Sequence, residues 1–243
     1  MNTTECAIGT QLHPWVNPPY EEEVNTFNSF AGNLSRELEE AKITELTLTI
    51  ESAFGRRPTV YRAGRYGVGP NTAGLLEAAG YRADVSARAL FDYGEEGGPD
   101  FSRVKPLPFR VGDGGLVELP LSAAYVGRLR RGGRGLYWAA GKVPRARGLL
   151  SRAGLLERVA LTPEDVPLRD ALAAARALIA DGVQWFSLSF HSPSVEPGHT
   201  PYVRTPADLR AFHAWWDGML DFFEAEGIRP ATIDETIEAA ASA

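Results

Sequence analysis

Apolar residues recur every three or four positions in three stretches of the chain, a pattern typical of amphipathic helices. The first stretch follows Ser35, a predicted N-cap, and stops at Gly55. The second spans 167–181 and the third spans 206–227, each with one apolar face. We expect the first helix to bury the stripe Leu34, Leu38, Ala41, Ile43, Leu46, Ile50 and Phe54.

Short apolar runs bounded by Gly and Pro predict strands between these helices. A further short helix, from Asn71 to Gly80, is predicted between two of the strands. The alternation of strand and helix predicts an α/β fold with a mostly parallel sheet, open or closed into a barrel. Segment 91–133 is rich in Gly and Pro and predicts loops or a hairpin. The predicted strands are 6–8 (ending near Gly9), 58–62, 81–85, 116–119, 136–138 and 184–190.

Composition narrows the class of protein. With 243 residues, 44% hydrophobic and 23% charged, the chain is globular, and no linker divides it, so we expect a single domain over 1–243. Its net charge of −6 argues against a nucleic-acid binder. Its single cysteine, Cys6, excludes a disulfide scaffold and a cysteine-based zinc site. We see no signal peptide and no membrane span, and expect a cytoplasmic protein.

One segment departs from this acidic balance. Residues 127–158 contain nine Arg or Lys residues and one acid, Glu157. Two interpretations stay open at this point. The segment is either a solvated face, or a cradle for an anionic polymer, a lipid head group or a nucleotide-linked sugar.

Side chains suited to catalysis or ligand binding lie at the ends of four of the predicted strands or in the loops that follow them. Ligands bind at the carboxyl ends of strands in barrels and open α/β sheets, so this position is informative. Arginine can clamp a carboxylate, and an imidazole beyond an apolar strand suits acid–base chemistry. A structural histidine or an ordinary salt bridge is the competing interpretation at each place. The candidates are Gln11, His13 and Trp15; Arg62, Arg65 and Tyr66; Asp84; and His191 and His199.

The ordered motifs around these residues resemble those of the polysaccharide deacetylases with NodB homology, and within them the WalW-like branch. The resemblance runs from about residue 9 to residue 234. It is carried by Gly9 with His13-Pro14-Trp15 and Pro18-Pro19, then Arg62-Ala63-Gly64-Arg65-Tyr66-Gly67, then Tyr81, Asp84 and Ser86, then Ser189-Phe190-His191-Ser192-Pro193-Ser194 and Pro197-Gly198-His199-Thr200-Pro201-Tyr202-Val203.

The resemblance implies a distorted (β/α) barrel and a hydrolase of carbohydrate metabolism. Its substrate would be an N-acetylated sugar, and the bond cleaved would be the amide carbon–nitrogen bond. A divalent metal, commonly zinc, would activate water, held by one Asp and two His. By motif, His13 is a metal ligand with Gln11 at the second ligand position, and His191 is the catalytic acid tuned by Asp84. Arg62 orients the base, Tyr66 contacts the oxyanion, and Arg65, Trp15 and His199 contact substrate.

Two departures from the family pattern change the expectation. The acidic first motif that supplies the Asp base is absent, and Gln11 stands where a histidine is expected. We therefore expect zinc to be held weakly or lost, because an amide oxygen is a poor zinc ligand. We also expect a barrel incomplete at its N-terminus, with an exposed edge that favours self-association.

Two alternatives remain. One is a non-catalytic carbohydrate-binding or scaffolding barrel, with Trp15, Tyr66 and Trp138 as stacking surfaces. The other, weaker one is a metal-independent hydrolase that uses His191 or His199 with Ser192, although no nucleophile-elbow motif is present.

Overall fold

The computed structural model describes residues 7–112 and 114–241. The chain divides into two compact units, and each is described by itself. The N-terminal unit comprises Met1–Pro120 with Ala231–Ala243, and the C-terminal unit comprises Leu121–Pro230. The single-domain organisation expected from the sequence stays a prediction.

The described residues contain seven strands and seven α-helices. The strands are β1 (Thr10–Leu12), β2 (Val60–Ala63), β3 (Ala83–Asp84), β4 (Phe109–Val111), β5 (Leu116–Glu118), β6 (Ala123–Val126) and β7 (Glu157–Ala160). The helices are α1 (Arg36–Phe54), α2 (Thr72–Ala78), α3 (Gly133–Gly141), α4 (Ala146–Arg152), α5 (Leu168–Ala180), α6 (Pro206–Ala225) and α7 (Ile233–Ala241).

The N-terminal unit is built on a five-stranded sheet in the order β1-β2-β3-β5-β4. The first four strands in this order run parallel, and β4 pairs antiparallel with β5 to form the hairpin expected in 91–133. An apolar cluster with Leu12, Tyr61 and Leu76 at its centre packs the sheet against α1 and α2. The α/β class with a parallel sheet is therefore confirmed.

Helix α1 begins and ends where the sequence predicts, but its buried face differs. Ser35 accepts a hydrogen bond from the Leu38 N–H, and Gly55 ends the helix in the left-handed conformation at φ 67°. The helix buries Glu39, Lys42, Ile43 and Thr47, whereas Phe54 of the predicted stripe is 60% exposed. The predicted stripe is therefore confirmed at Ile43 and Leu46, which pack in the core, and wrong at Phe54, because this helix also turns charged side chains toward the sheet and its loops.

The C-terminal unit combines a two-stranded antiparallel sheet, β6-β7, with helices α3 to α6. Its core lies between the sheet, α5 and α6, and includes Leu178, Trp215 and Met219. Helix α6 starts with a reciprocal capping box between Thr205 and Asp208. Both long helices predicted in this half of the chain are confirmed, at 168–180 and 206–225.

Three strand predictions are corrected by the structure. Strand β1 begins after Gly9 and not before it, because its pairing with β2 starts where Thr10 lies beside Tyr61. Cys6, in the predicted strand, lies outside the described residues. Residues 136–138 lie in helix α3, where Tyr137 packs against Tyr125. Residues 184–190 are extended but are not assigned to a strand. Isolated backbone hydrogen bonds join them to neighbouring segments, such as the one from the Ser122 N–H to the Ser187 carbonyl oxygen at 3.0 Å.

The closed barrel implied by the resemblance is not present in the described part of the chain. The five-stranded sheet ends at β1 on one side and β4 on the other, and the β6-β7 sheet has two strands. Within residues 7–112 and 114–241, no helix combines the length and apolar character needed to cross a bilayer. The cytoplasmic location expected from the sequence stays a prediction.

Candidate functional site

The structure brings Gln11, His13 and Arg62 together at the carboxyl ends of β1 and β2. Gln11 and Arg62 are direct partners in the parallel register, so their side chains leave the same face of the sheet. His13 follows β1 directly, and its exposed ring lies against Gly64, where a Cβ atom would overlap it. Glycine at position 64 therefore makes room for the imidazole.

A buried lysine organises the loop that carries His13 and Trp15. The Nζ atom of Lys42, on α1, donates to the carbonyl oxygens of Pro14 (3.0 Å) and Asn17 (2.8 Å), and also to that of Pro19. It forms an ion pair with Glu22 at 2.9 Å, and the Lys42 side chain has no exposed surface. A buried ammonium needs such a full set of acceptors. The sequence signal missed here is a lysine inside an otherwise helical apolar pattern.

Arg65 and Tyr66 adopt left-handed backbone conformations in the turn after β2, with φ 53° and 63°. The Arg65 guanidinium donates to the Ser29 hydroxyl, pairs with Glu96 and lies 4.6 Å from the centroid of the Phe30 ring. These contacts fasten the turn to neighbouring loops. The expected role of Arg65 as a substrate contact stays a prediction.

The Tyr66 ring lies at the centre of an aromatic and cationic group. It stacks on Tyr93 with centroids 5.2 Å apart, and the guanidinium carbons of Arg62 and Arg88 lie 5.6 and 5.4 Å from its centroid. The turn thus places Arg62 and Tyr66 side by side. Trp15 is 42% exposed on its loop.

Asp84 is buried and belongs to a carboxyl pair that the sequence did not reveal. Its register partner on β5 is Glu118, and the two side chains are hydrogen-bonded to each other. Asp84 Oδ1 accepts from the Ser86 N–H at 3.0 Å and from the Ser86 hydroxyl, while Glu118 Oε1 accepts from the Ala87 N–H at 2.9 Å. Ser86 in turn accepts from the Ala63 N–H, which links the pair to the end of β2.

Burial controls the protonation of this pair and of a third carboxyl nearby. Loss of solvation raises the pKa of Asp84 to about 6 and the pKa of Glu118 well above its ordinary value, with the Asp84 charge adding to the second shift. Burial also raises the pKa of Glu39 to about 7, against the hydrogen bond from Thr72. The hydrogen bond to Asp84 also raises the pKa of Glu118.

The residues at the predicted metal position do not fit zinc. His13 offers one imidazole and Gln11 one neutral amide, whereas zinc sites in enzymes use three protein ligands drawn from His, Cys, Asp and Glu. Across residues 7–112 and 114–241, no group of three such side chains is placed to hold a metal ion. We therefore derive no chemical step through a metal.

His191 in the C-terminal unit forms a dyad with Glu164. The Nδ1 atom of His191 lies 2.7 Å from Glu164 Oε2, and the His191 N–H donates to Glu164 Oε1 at 2.8 Å. The glutamate side chain is 7% exposed and the imidazole 60% exposed. From the resemblance we assigned the tuning carboxylate to Asp84; the carboxylate that contacts His191 is Glu164. A Glu placed 27 residues before the His gave no sequence signal.

The surrounding loop fixes this dyad. Ser194 donates its hydroxyl to Glu164 Oε1 at 2.7 Å and lies 3.1 Å from the Thr200 hydroxyl. The Tyr202 ring stacks on the His191 ring with centroids 6.0 Å apart. In the described part of the chain the Nε2 atom of His191 has no hydrogen-bond partner, so it is the ring atom open to a ligand.

A cleft of about 540 Å³ borders Tyr202 on the side of α6. Its lining is mainly apolar, with Asp165 and Asp208 as the acidic members. His199 lies on the same loop as the dyad, is 59% exposed, and has its Nε2 atom 3.7 Å from Glu196. The apolar lining residues include Val166, Leu168, Val203, Phe212 and Trp215.

Comparison with known proteins adds little to this geometry. The chain matches no protein-family model and no curated protein. It aligns with one solved structure, described as a "putative polysaccharide deacetylase" from Mycobacterium smegmatis, at 23% identity and a TM-score of 0.37. The alignment covers 82% of this chain and 60% of that one, so the chain spans three-fifths of its length. A TM-score this low carries no argument about the site, and the function is inferred from the residues themselves.

Proposed function

We propose that this protein is a polysaccharide-deacetylase-like hydrolase that cleaves the amide bond of an N-acetylated sugar, with His191 as its proton-transferring group. The observation that carries the proposal is the Glu164–His191 dyad, with Nδ1 held at 2.7 Å and the ring exposed. The motif resemblance supports it, because the dyad lies in the segment that the family motif predicts for the catalytic acid.

The dyad has a defined task in such a reaction. Water adds to the acetamide carbonyl carbon, the carbon–nitrogen bond breaks, and the departing amine takes up a proton. Glu164 orients the imidazole through Nδ1, so the Nε2 atom is the one that delivers this proton. The cleft of about 540 Å³ bordered by Tyr202, whose ring stacks on His191, offers apolar surface for a sugar ring and an acetyl methyl group.

In the N-terminal unit, the roles of Arg62 and Tyr66 that the resemblance implies stay predictions. The Arg62 guanidinium lies 5.6 Å from the Tyr66 ring, and both side chains are partly exposed. The role of Asp84 differs from the one that the resemblance implies, since its carboxyl is buried and hydrogen-bonded to Glu118 and Ser86. We infer that Asp84 supports the β2–β3–β5 strand ends and does not itself touch substrate.

The direct test measures acetate release from N-acetylglucosamine oligomers. We expect His191→Gln to lower the rate roughly 100-fold or more, because an oriented acid–base group contributes about 10²–10⁴-fold. We expect Glu164→Gln to lower it less. The matched control is His213→Gln, which changes an exposed histidine on α6. Equal rates for His191→Gln and His213→Gln would refute the proposed role.

A specific observation favours a second function, non-catalytic carbohydrate binding. The predicted metal position holds Gln11 and His13 and lacks a zinc ligand set. Under this alternative, the protein binds N-acetylglucosamine oligomers with an affinity that a metal chelator does not change. It releases no acetate with or without added zinc. Acetate release by the wild type that is lost in His191→Gln favours the enzyme.

We also propose self-association through an edge of the N-terminal sheet. Its two edge strands are β1, the strand nearest the N-terminus, and β4, in which Phe109 is 37% exposed. Light scattering over a range of concentrations tests the proposal, and a constant monomer mass would refute it.

A further inference from the structure

Residues 127–158, which we call the basic hairpin, carry a charge opposite to that of the whole chain. The segment contains nine Arg or Lys residues and one acid, in a chain of net charge −6. It includes α3 and α4, which pack on each other, while α4 also packs on β7. The hairpin therefore gathers positive charge on one structured part of the C-terminal unit.

Three of its arginines hold the hairpin together. One guanidinium nitrogen of Arg130 donates to both carboxylate oxygens of Asp181, at 2.9 and 2.8 Å. Arg147 donates to the Tyr137 carbonyl at 3.0 Å, and its guanidinium lies 4.3 Å from the Tyr137 ring centroid. Arg158 lies 5.0 Å from the same centroid. The contacts of Arg147 and Arg158 with Tyr137 fix α3 relative to α4 and β7, and the Arg130 pair fastens the hairpin to the end of α5.

Four of the six remaining cations flank exposed apolar side chains. Arg134 and Trp138 of α3 and Lys142, its C-cap, are spaced four residues apart and so share one helix face. Trp138 is 59% exposed, and the Lys142 ammonium lies 3.6 Å from its ring centroid. In the part of the chain that the structure describes, neither Arg134 nor Lys142 has an acidic side chain within ion-pair distance.

The α4 region repeats this arrangement. Leu149 is 63% exposed, with Arg145 four residues before it and Arg152 three residues after it. Across residues 7–112 and 114–241, neither of these arginines pairs with an acid. Val143, in the link between the helices, is 58% exposed. Each helix thus presents an apolar side chain between two positive charges.

We propose that the basic hairpin is a peripheral docking surface for an anionic lipid membrane. Basic residues beside exposed Trp and Leu suit the interfacial layer of a bilayer, where the apolar groups enter the acyl boundary and the cations meet phosphates. Binding of a soluble polyanion needs only the cations. It does not explain why Trp138, Val143 and Leu149 are exposed to water. The Lys142 ammonium already covers the Trp138 ring, which leaves less of that ring for stacking on a sugar.

The experiment is co-sedimentation of the full chain with vesicles of phosphatidylglycerol and phosphatidylcholine, compared with vesicles of phosphatidylcholine alone. We expect binding to the anionic vesicles at low salt, and a loss of roughly tenfold or more at 0.5 M salt. Arg134→Ser with Arg145→Ser should weaken binding about 25-fold, about fivefold for each basic residue. Trp138→Ala with Leu149→Ala should weaken it about tenfold or more.

Matched controls separate this surface from a general effect. Leu220→Ala changes a leucine that is 56% exposed on α6, and Trp15→Phe changes a tryptophan that is 42% exposed in the N-terminal unit. Both variants should bind the anionic vesicles like the wild type, and circular dichroism checks that all variants fold.

Two results would overturn the proposal. One is equal or absent binding to the two kinds of vesicle. The other is binding that survives Trp138→Ala with Leu149→Ala while the protein also binds heparin just as tightly, which would assign the surface to a soluble polyanion. Neither result touches the hydrolase proposal, because His191 and Glu164 lie outside the basic hairpin.

Discussion

The Oε2 atom of Glu164 lies 2.7 Å from the Nδ1 atom of His191, and the glutamate side chain is 7% exposed while the imidazole is 60% exposed. The same carboxylate accepts from the His191 N–H and from the Ser194 hydroxyl. One buried group therefore sets both the orientation of the imidazole and the path of the loop that carries it.

Replacing Glu164 with Ala should destabilise the protein as well as the dyad. The change leaves the buried Ser194 hydroxyl without its carboxylate, and hydrogen bonds to charged groups contribute about 1.5–3 kcal/mol. We expect the free energy of unfolding in urea to fall by about 2–3 kcal/mol and proteolysis within 191–205 to accelerate. Glu196→Ala is the control, since its pair with His199 is exposed at 3.7 Å. Similar free energies of unfolding for the two variants would contradict the conclusion that Glu164 holds both the imidazole and its loop.

Lys42→Met should cost much more stability than removal of an exposed lysine. The substitution leaves Glu22, with a side chain 3% exposed, without its ammonium partner, and three loop carbonyls lose their donor. Breaking a buried pair in this way costs about 3–5 kcal/mol. Urea unfolding measures the loss, with exposed Lys105→Met as the control that stays within about 0.5 kcal/mol of wild type. A small loss for Lys42→Met would show that water replaces the ammonium in the loop.

The buried carboxyls predict a stability that falls as pH rises from about 4 to 7. Burial raises the folded-state pKa of Asp84 from 3.8 to about 6 and that of Glu39 from 4.5 to about 7. The folded protein then binds more protons than the unfolded chain in this window, so deprotonation favours unfolding. Stability from these groups is complete below pH 4 and is lost as pH passes the folded values.

Urea unfolding at pH 4.5, 6 and 7.5 checks this sign. Asp84→Asn with Glu118→Gln should flatten the fall, because neither amide ionises. Asp208→Asn should leave the fall intact, since hydrogen bonds from Thr205 lower the pKa of Asp208 below its ordinary 3.8 and this carboxylate is ionised throughout the window. A wild-type stability that rises from pH 4.5 to 7.5 would show that other groups dominate the linkage.

Two glycines in the N-terminal unit should respond oppositely to alanine. A Cβ on Gly32 would overlap the backbone of Gly69, so Gly32→Ala should cost about 3 kcal/mol or more. Gly74 lies exposed in α2 with open space beside it, so Gly74→Ala should stabilise the helix by about 0.5–1 kcal/mol. Thermal unfolding measures both, and a Gly32→Ala protein as stable as wild type would mean that the two backbone segments separate easily.

The candidate site was predicted in part. The carboxyl ends of β1 and β2 do bring Gln11, His13 and Arg62 together, because parallel neighbours align such positions. The partners of these residues were not predictable. Glu164 reaches His191 from a loop 27 residues earlier, and Glu118 meets Asp84 across a strand pair. No spacing rule along the chain connects such residues.

The sequence by itself determined the α/β alternation, the cap residues Ser35 and Gly55 of α1, and the bounds of α5 and α6, because caps and apolar periodicity act between near neighbours. The tertiary structure alone decided that Tyr137 belongs to a helix, that α1 buries Lys42, and which carboxylate meets His191. These outcomes depend on what distant segments place beside each residue, since burial and pairing override local preference.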